Sequence, residues 1–306
     1  MGQVLVLGLI NGGIYAIFAL GVVLVFRGTG VLTFAQGEIG TVALYFAYFL
    51  VAKQHLPWLV GAFGAIALAT VLGALFEFLF VRRMVQADPV STAVLTVGFG
   101  LFLLAFEFFF FGGSPRVLPP PTKSGLHLAG VIVSAPQIAA LVLALALGCG
   151  LQSALRRSDF GLGILAAAQD PDAVRLVGVP LSRITLTVWS AGAALSGLAA
   201  LLVEPTVGVI SPGYASELFV IGLAAAVIGG LTSLPGAFVG GVVLGLAQSA
   251  SSRYLSSFGV SGLQYIVVLT ILLIVLLGRA YAPDLRRRLS PPAPAGSAVT
   301  TAGAAA

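Results

Sequence analysis

Long apolar segments alternate with short polar ones along almost the whole chain. A helix needs about 20 apolar residues to cross the hydrocarbon layer of a membrane, and nine segments approach that length. They lie at roughly 3–26, 31–52, 57–81, 90–111, 136–155, 184–203, 216–232, 235–252 and 261–278. The pattern predicts an all-α fold, a polytopic transmembrane helical bundle of about nine spans, with a range of eight to ten.

Two of the nine segments are irregular. The second opens with a polar string that includes Thr33, Gln36 and Glu38, and the seventh is short and ends in Gly229 and Gly230. Irregular backbone is tolerated at membrane depth where protein encloses it or where it lines a water-filled cavity. Either span is therefore a candidate for a broken or re-entrant helix.

The composition agrees with a membrane protein and narrows its function. Of the 306 residues, 59% are hydrophobic and 8% are charged, which is too little charge to coat a water-soluble protein. The Lys and Arg residues occur in short clusters between apolar segments, a placement that argues against a nucleic-acid partner. Neither lysine belongs to a phosphate-binding loop, so we expect a transport subunit that does not hydrolyse ATP itself. Cys149, His55 and His127 are too scattered to predict a metal site, and we expect no cofactor in this chain.

Basic residues collect on the cytoplasmic side of short loops, and their positions favour one orientation. An outside amino terminus leaves Lys53, Arg116, Lys123 and Arg253 on the outer side. The other basic residues then lie inside: Arg27, Arg82, Arg83, Arg156, Arg157, Arg175, Arg183, Arg279, Arg286, Arg287 and Arg288. The bias predicts a multi-pass membrane protein with its amino terminus outside and its carboxyl terminus in the cytoplasm.

The chain divides into two parts. Residues 1–279 form the transmembrane domain, which includes a cytoplasmic loop at 157–183. In residues 280–306 the basic residues give way to Pro, Ala, Ser and Thr, which cannot bury a core. We expect this second part to be a disordered cytoplasmic tail.

Small residues four positions apart recur within the spans, and such spacing lets helix backbones approach each other closely. The pairs are Gly8 with Gly12, Ala193 with Gly197, Gly236 with Gly240, and Gly241 with Gly245. We expect tight packing of the spans that contain them.

Glu38, Glu77 and Glu107 lie within apolar segments, where an ionisable side chain is costly and is a candidate for function. Glu77 precedes an inner basic cluster and Glu107 lies near an outer glycine pair, so we expect both at membrane interfaces. Glu38 has two interpretations that stay open. It lines a path or gate, or it stabilises the start of a helix through the helix dipole.

The cytoplasmic loop contains a predicted short helix. Asp170 is a typical N-cap with Pro171 at the first helical position, and Gly178 ends the helix. Ala173, Leu176 and Val177 share one side of it. Such a helix docks into a groove of a partner protein or rests on lipid headgroups, and composition favours neither.

Three motifs occur in order between residues 5 and 279. The first is GGIYA at 12–16 followed by GVLTFAQGE at 30–38, the second is AAQDPDAVRLVGVP at 167–180, and the third runs from IGGL at 228–231 to the glycine pair at 240–241. They resemble, respectively, the G-x-x-Y-A and L-N-F-A-H-G-E pattern, the coupling loop and the G-G-x-G-S-x-x-G-A phrase of one family. That family is the LivH and LivM permease subunits of branched-chain amino-acid ABC importers. Thr33 and Gln36 replace residues that are often Asn and His in it.

The resemblance implies a division of labour among subunits. An extracytoplasmic solute-binding protein delivers a small-molecule solute, and two permease subunits, identical or homologous, form the path across the lipid of a bacterial plasma membrane. Two ABC ATPase subunits, which bind ATP and Mg, drive transport. This chain would be one permease half, coupled to the ATPase through Asp170, Pro171, Asp172, Ala173, Arg175, Leu176 and Gly178.

Polar residues within the apolar spans, together with one aromatic residue beside them, form a hypothetical translocation path. They are Asn11, Tyr15, Phe34, Gln36, Glu38 and Gln248. The family permits branched-chain or related amino acids, urea and short amides as solutes. An ion-gradient-driven secondary transporter and a scaffold without a path stay as alternatives.

Overall fold

The computed structural model describes residues 2–84, 88–120, 125–128, 131–169, 180–254 and 262–289, together with positions 174, 176 and 178. Its α-helices are α1 (Gly2–Thr29), α2 (Gln36–Tyr48), α3 (Trp58–Leu79), α4 (Pro89–Phe111), α5 (Ala135–Arg157), α6 (Asp159–Ala167), α7 (Leu181–Val207), α8 (Tyr214–Gly229), α9 (Leu234–Tyr254) and α10 (Leu263–Leu289). A π-helical turn, Phe49–Lys53, extends α2, and a 3-10 turn, Val81–Met84, follows α3. Strands β1 (Gly125–Leu128) and β2 (Val131–Ser134) form a small antiparallel hairpin.

The predicted all-α membrane bundle is confirmed, and each of the nine apolar segments contains a helix. Among the described residues, 6 helices are long and apolar enough to cross a membrane. The two segments expected to be irregular give the shorter helices α2 and α8, of 13 and 16 residues. Helix α10 continues to Leu289, so the predicted tail begins within it, and residues 290–306 lie outside the described residues.

Helix α1 lies at the centre of the bundle. It is apolar around its whole circumference, and its residues from Gly12 to Val25 are all buried. A helix that is hydrophobic on every side has no face for solvent and is enclosed by other helices. Helices α5, α7, α8 and α9 supply that enclosure.

The expected close packing at small residues is confirmed at two helix pairs. Along α1 and α9, a Cβ added to Gly12 would lie 2.7 Å from the Cα of Val242, and one added to Gly241 would lie 2.6 Å from the backbone N of Ala16. In the same way, a Cβ on Gly197 of α7 would lie 2.8 Å from Ala69 of α3. Only glycine permits these approaches, and those between α1 and α9 bring the two backbones into direct contact.

Helix α2 begins inside the protein. Residues 30–35 are not helical, and Ala35 and Gln36 at the helix start are both buried. The backbone N–H of Phe34 donates to Oγ1 of Thr96 on α4 at 3.1 Å, which satisfies one donor of this irregular segment. The second span is therefore a short helix whose amino terminus lies within the bundle.

The loop at 157–183 contains a helix, α6, which the sequence pattern did not predict. Ser158 caps it, because its hydroxyl accepts the backbone N–H of Gly161 at 3.0 Å. Gly161 also lies against the backbone of Ala154 and Leu155, so α6 folds back tightly on the end of α5.

Candidate functional site

The first turn of α8, residues 214–217, is fixed by side chains from other helices. The backbone N–H of Gly213 donates to Glu107 Oε2 of α4 at 2.9 Å, and that of Ala215 donates to Thr41 Oγ1 of α2 at 3.0 Å. The first N–H groups of a helix have no partner within the helix. Here α2 and α4 supply partners and so set the position of α8.

Two acids, Glu38 and Glu107, meet beside this turn. The hydroxyl of Ser216 donates to Glu38 Oε1 at 2.5 Å, and the carboxyl group of Glu107 lies within interaction range of that of Glu38. Two ionised carboxylates at short range repel each other unless one of them carries a proton. The positive end of the α8 dipole lies beside the pair and favours negative charge there.

The structure revises the expectations for the intramembrane acids. Glu107 is 0% exposed and binds the α8 turn, so it is not a side chain exposed at an interface. Glu77 does not extend to the inner interface, since it is buried and accepts the hydroxyl of Thr185 on α7 at 2.5 Å. Glu38 is 8% exposed and lies in the first turn of α2, a position compatible with both of its interpretations.

Tyr15 and Gln248, two residues of the hypothetical path, are brought together. The Tyr15 hydroxyl donates to Gln248 Oε1 and links α1 to α9. Asn11, one turn earlier on α1, is half-buried. Tyr15 also lies within electrostatic range of Glu217 on α8, so the α1–α9 pair and the α8 turn belong to one polar region.

The ring of Phe34 lies in the same region. The ring of Phe219, one turn along α8, lies edge-on to Phe34 at 5.8 Å and to Phe18 of α1 at 6.2 Å. These contacts connect the non-helical segment before α2 to the first half of α8. Four hypothetical path residues, Tyr15, Phe34, Glu38 and Gln248, thus surround α8.

Gln36 lies elsewhere. Its side-chain Nε2 donates to the carbonyl of Gly192 at 3.0 Å, and its own carbonyl accepts the hydroxyl of Ser196. Both partners are on α7, and Gln36 is buried between the two helices. In this structure Gln36 joins α2 to α7 and does not face the α8 turn.

Sequence reasoning missed two acids in apolar helices, Glu204 and Glu217. Glu204 is buried near the end of α7 and accepts the backbone N–H of Leu118. Glu217 is exposed in the first turn of α8. The signal for Glu217 was available, because an acid four residues after Gly213 opens an otherwise apolar span.

The predicted coupling segment lies between α6 and α7. Val174 is helical and 7% exposed, whereas Leu176 is helical and 90% exposed. Gly178 follows in a turn with φ of +85°, a conformation that disfavours a side chain. Asp170, Pro171, Asp172, Ala173 and Arg175 lie outside the described residues.

No cluster of metal-binding side chains is found among the described residues. The ranges given above contain no group of three or more His, Cys, Asp or Glu residues placed to hold a metal ion. The polar region around α8 can instead bind a small polar molecule through hydroxyl, amide and carboxyl groups.

Comparison with known proteins identifies the family. The family model described as the permease component of branched-chain amino acid transport systems matches residues 4–276. No solved structure matches the chain.

Individual relatives agree with that match. The high-affinity branched-chain amino acid transport system permease protein LivH of Escherichia coli is 26% identical over 92% of this chain and 95% of its own length. The corresponding protein BraD of Pseudomonas aeruginosa is 29% identical over 90% and 93%. The L-arabinose ABC transporter permease protein AraH of Azospirillum brasilense is 28% identical over 44% of this chain and 41% of its own. Since the family model covers nearly all of the helical bundle, the chain belongs to the family of branched-chain amino acid transport permease components.

Proposed function

We propose that this chain is the membrane-spanning permease subunit of an ATP-driven importer for branched-chain or related amino acids. It forms one half of the translocation path with a second permease subunit in a bacterial plasma membrane. An extracytoplasmic binding protein delivers the solute, and ABC ATPase subunits, which bind ATP and Mg, supply the energy. Its family supports this proposal, as do the six long apolar helices found among its described residues.

Coupling to the ATPase is assigned to residues 170–178. The observation that carries this assignment is the contrast between Val174, buried among the core residues, and Leu176, which is 90% exposed. One residue anchors the segment to the bundle while the other presents an apolar side chain outward. An exposed apolar side chain on a short helix is what a groove of a partner protein takes up.

A displacement of this segment is transmitted to the bundle through closely packed helices. The segment leads directly into α7, which packs on α3 through Gly197 and binds α2 through Gln36. Closely packed interiors have low compressibility and transmit displacement. A shift of the segment therefore moves α7 and α2 together, and α2 carries Glu38 against the α8 turn.

The docking assignment is tested with Leu176→Glu. We expect this variant to reduce the affinity for the ATPase subunits about 30-fold, because a hot-spot side chain buried at an interface contributes about 2 kcal/mol, which corresponds to that factor. Leu162→Glu is the matched control, since Leu162 is a half-exposed leucine on the neighbouring α6. We expect the control to retain the ATPase.

Two further variants define the docking helix, Arg175→Glu and Gly178→Leu. Gly178→Leu forces a side chain into a left-handed conformation, which costs roughly 1–2 kcal/mol, and both should weaken the complex. An intact complex with normal transport-stimulated ATP turnover in all three docking variants would reject the assignment. Equal loss in the Leu162 control would show a general effect of charge on this surface.

The orientation is tested separately. In a Cys149→Ser background, a Leu176→Cys variant should react with membrane-impermeant thiol reagents only from the cytoplasmic side, because the proposal places the amino terminus outside. Labelling of intact cells by such a reagent would reverse the orientation and remove the docking proposal.

One observation favours a second candidate, a proton-linked secondary transporter. The buried carboxyl groups of Glu38 and Glu107 lie within interaction range of each other, and intramembrane carboxyl groups serve proton relays in pumps and transporters. Reconstitution separates the two functions. Uptake that needs ATP and added ATPase subunits supports the importer, whereas uptake that follows a proton gradient without them supports the second candidate.

A further inference from the structure

The first turn of α8 exposes an acid that the proposed path does not use. Glu217 is exposed, although it lies on a helix that packs against α1, α2 and α9. Within the described ranges it has neither a hydrogen bond nor an ion pair. Ionisable side chains at membrane depth almost always face the bundle interior or a water-filled cavity, and they mark solute pathways. Glu217 thus has no hydrogen-bond or ion-pair partner among the described residues, although it lies on an otherwise apolar helix.

The groups around Glu217 are polar and can accept hydrogen bonds. Tyr214 lies three residues earlier on the same side of α8, and its buried hydroxyl has no partner. Tyr15 is within electrostatic range of Glu217, and its hydroxyl contacts Gln248. Tyr265 of α10 is within range of Tyr15 from a fourth helix. The charged residues that act on Tyr15 and Tyr214 within the described chain are glutamates, with no Lys or Arg among them.

This arrangement is suited to a cationic group. A carboxylate is an acceptor only, whereas an ammonium group is a donor of three hydrogen bonds with no acceptor. One N–H of an ammonium group can bind Glu217, and phenolic oxygens of Tyr15 and Tyr214 can accept others. The faces of tyrosine rings also attract an ammonium group. An uncharged amide such as urea gains much less from an uncompensated carboxylate.

We propose that Glu217 binds the ammonium group of an amino-acid solute in the translocation path, with Tyr15 and Tyr214 beside it. The inference rests on the proposed importer function and deepens it. It selects amino acids over urea and short amides among the solutes that the family permits. The aliphatic side chain of the solute then faces the apolar surface of the path.

The experiment uses the complete transporter in proteoliposomes with saturating amounts of solute-loaded binding protein. Under these conditions the affinity of the binding protein does not limit uptake. Glu217→Gln should lower maximal leucine uptake about 10- to 100-fold, the effect of losing a hydrogen bond to a charged group. ATP turnover stimulated by the binding protein should persist, so ATP consumed per leucine should rise. Glu217→Asp, which keeps the charge, should recover part of the uptake.

The control is Val220→Thr, a change of similar size one turn further along the exposed side of α8. It should leave uptake unchanged. Normal uptake in Glu217→Gln would overturn the proposal. Loss of the second permease from the purified complex of that variant would also overturn it, because Glu217 would then contact a subunit and not the solute.

A direct binding measurement separates failure of this site from failure of the proposed function. Equilibrium dialysis of radiolabelled leucine against the purified complex without binding protein should show binding that Glu217→Gln weakens at least 10-fold. The des-amino analogue 4-methylpentanoate should not compete, and 3-methylbutylamine should. If the wild-type complex shows no ATP-dependent uptake, the importer function fails, while competition by the amine alone would still support the Glu217 site. Competition by the acid alone would reject it.

Discussion

The contact between α1 and α9 gives the sharpest prediction of stability, through the substitution Gly245→Ala. An added Cβ at this position would lie 2.6 Å from the carbonyl oxygen of Gly8 and closer still to the backbone of Gly12. Ordinary contacts of this kind begin near 3.4 Å. The two helices must therefore separate by roughly 1 Å at their closest approach, because backbone atoms cannot rotate away as a side chain can.

The size of the effect follows from that separation. A radial gap of about 0.5–1 Å forfeits a quarter to a half of the dispersion attraction of each atom pair across it. Forcing extra volume into a well-packed interior costs about 1–3 kcal/mol. Alanine also has a higher helix propensity than glycine, by about 1 kcal/mol. The effect of the clash must therefore be compared with the same substitution at a glycine whose added Cβ meets no neighbouring atom.

Gly150 on α5 and Gly98 on α4 provide that reference, since an added Cβ at either position meets nothing within 4 Å. Their alanine variants receive the same gain in propensity without a clash. Thermal unfolding of the purified protein in lipid nanodiscs, followed by the fluorescence of buried Trp189, should give a lower midpoint for Gly245→Ala than for either control. Equal midpoints would refute the idea that backbone contact between α1 and α9 stabilises this bundle.

Two further predictions concern the polar contacts of α2 and α8. Glu107→Gln should keep the midpoint close to that of the wild type, because the amide oxygen still accepts the N–H of Gly213 and the amide N–H can donate towards Glu38. Glu107→Leu should lower the unfolding free energy by about 1–3 kcal/mol, because it leaves the N–H of Gly213 unpaired. Equal midpoints for the two variants would show that this hydrogen bond does not stabilise the fold. Gln36→Leu should lower the midpoint but leave uptake per folded complex unchanged, since Gln36 joins α2 to α7; reduced uptake at normal stability would return Gln36 to the path.

Several features of the fold followed from the sequence with little ambiguity. The apolar segments located nine of the ten α-helices in the described residues, because a span must satisfy its backbone hydrogen bonds internally and be apolar over its length. The polar string around Gln36 and the glycine pair at Gly229 and Gly230 identified the two short helices for the same reason. Helix α6 was not predicted, because its sequence joins an apolar stretch to a charged loop without an independent boundary.

The candidate site was only partly accessible from sequence. Polar residues in apolar spans drew attention to Tyr15, Glu38 and Gln248, since such residues are costly in a membrane. The same criterion selected Gln36, which binds the neighbouring helix α7. It applies equally to Glu217, which was not selected from the sequence, and only the structure shows that the side chain of Glu217 is exposed.

The sequence by itself determined that this protein is a helical membrane bundle, where its helices lie, and which polar residues lie within apolar segments. Those properties depend on composition over a local window and on backbone hydrogen bonding. Only the tertiary structure decided which polar groups meet, because the partners of Glu38, Glu107 and Glu77 lie 106 to 178 positions away, on helices packed by glycine contacts that no local pattern specifies. Whether an acid in a span stabilises the fold or binds a ligand depends on that packing.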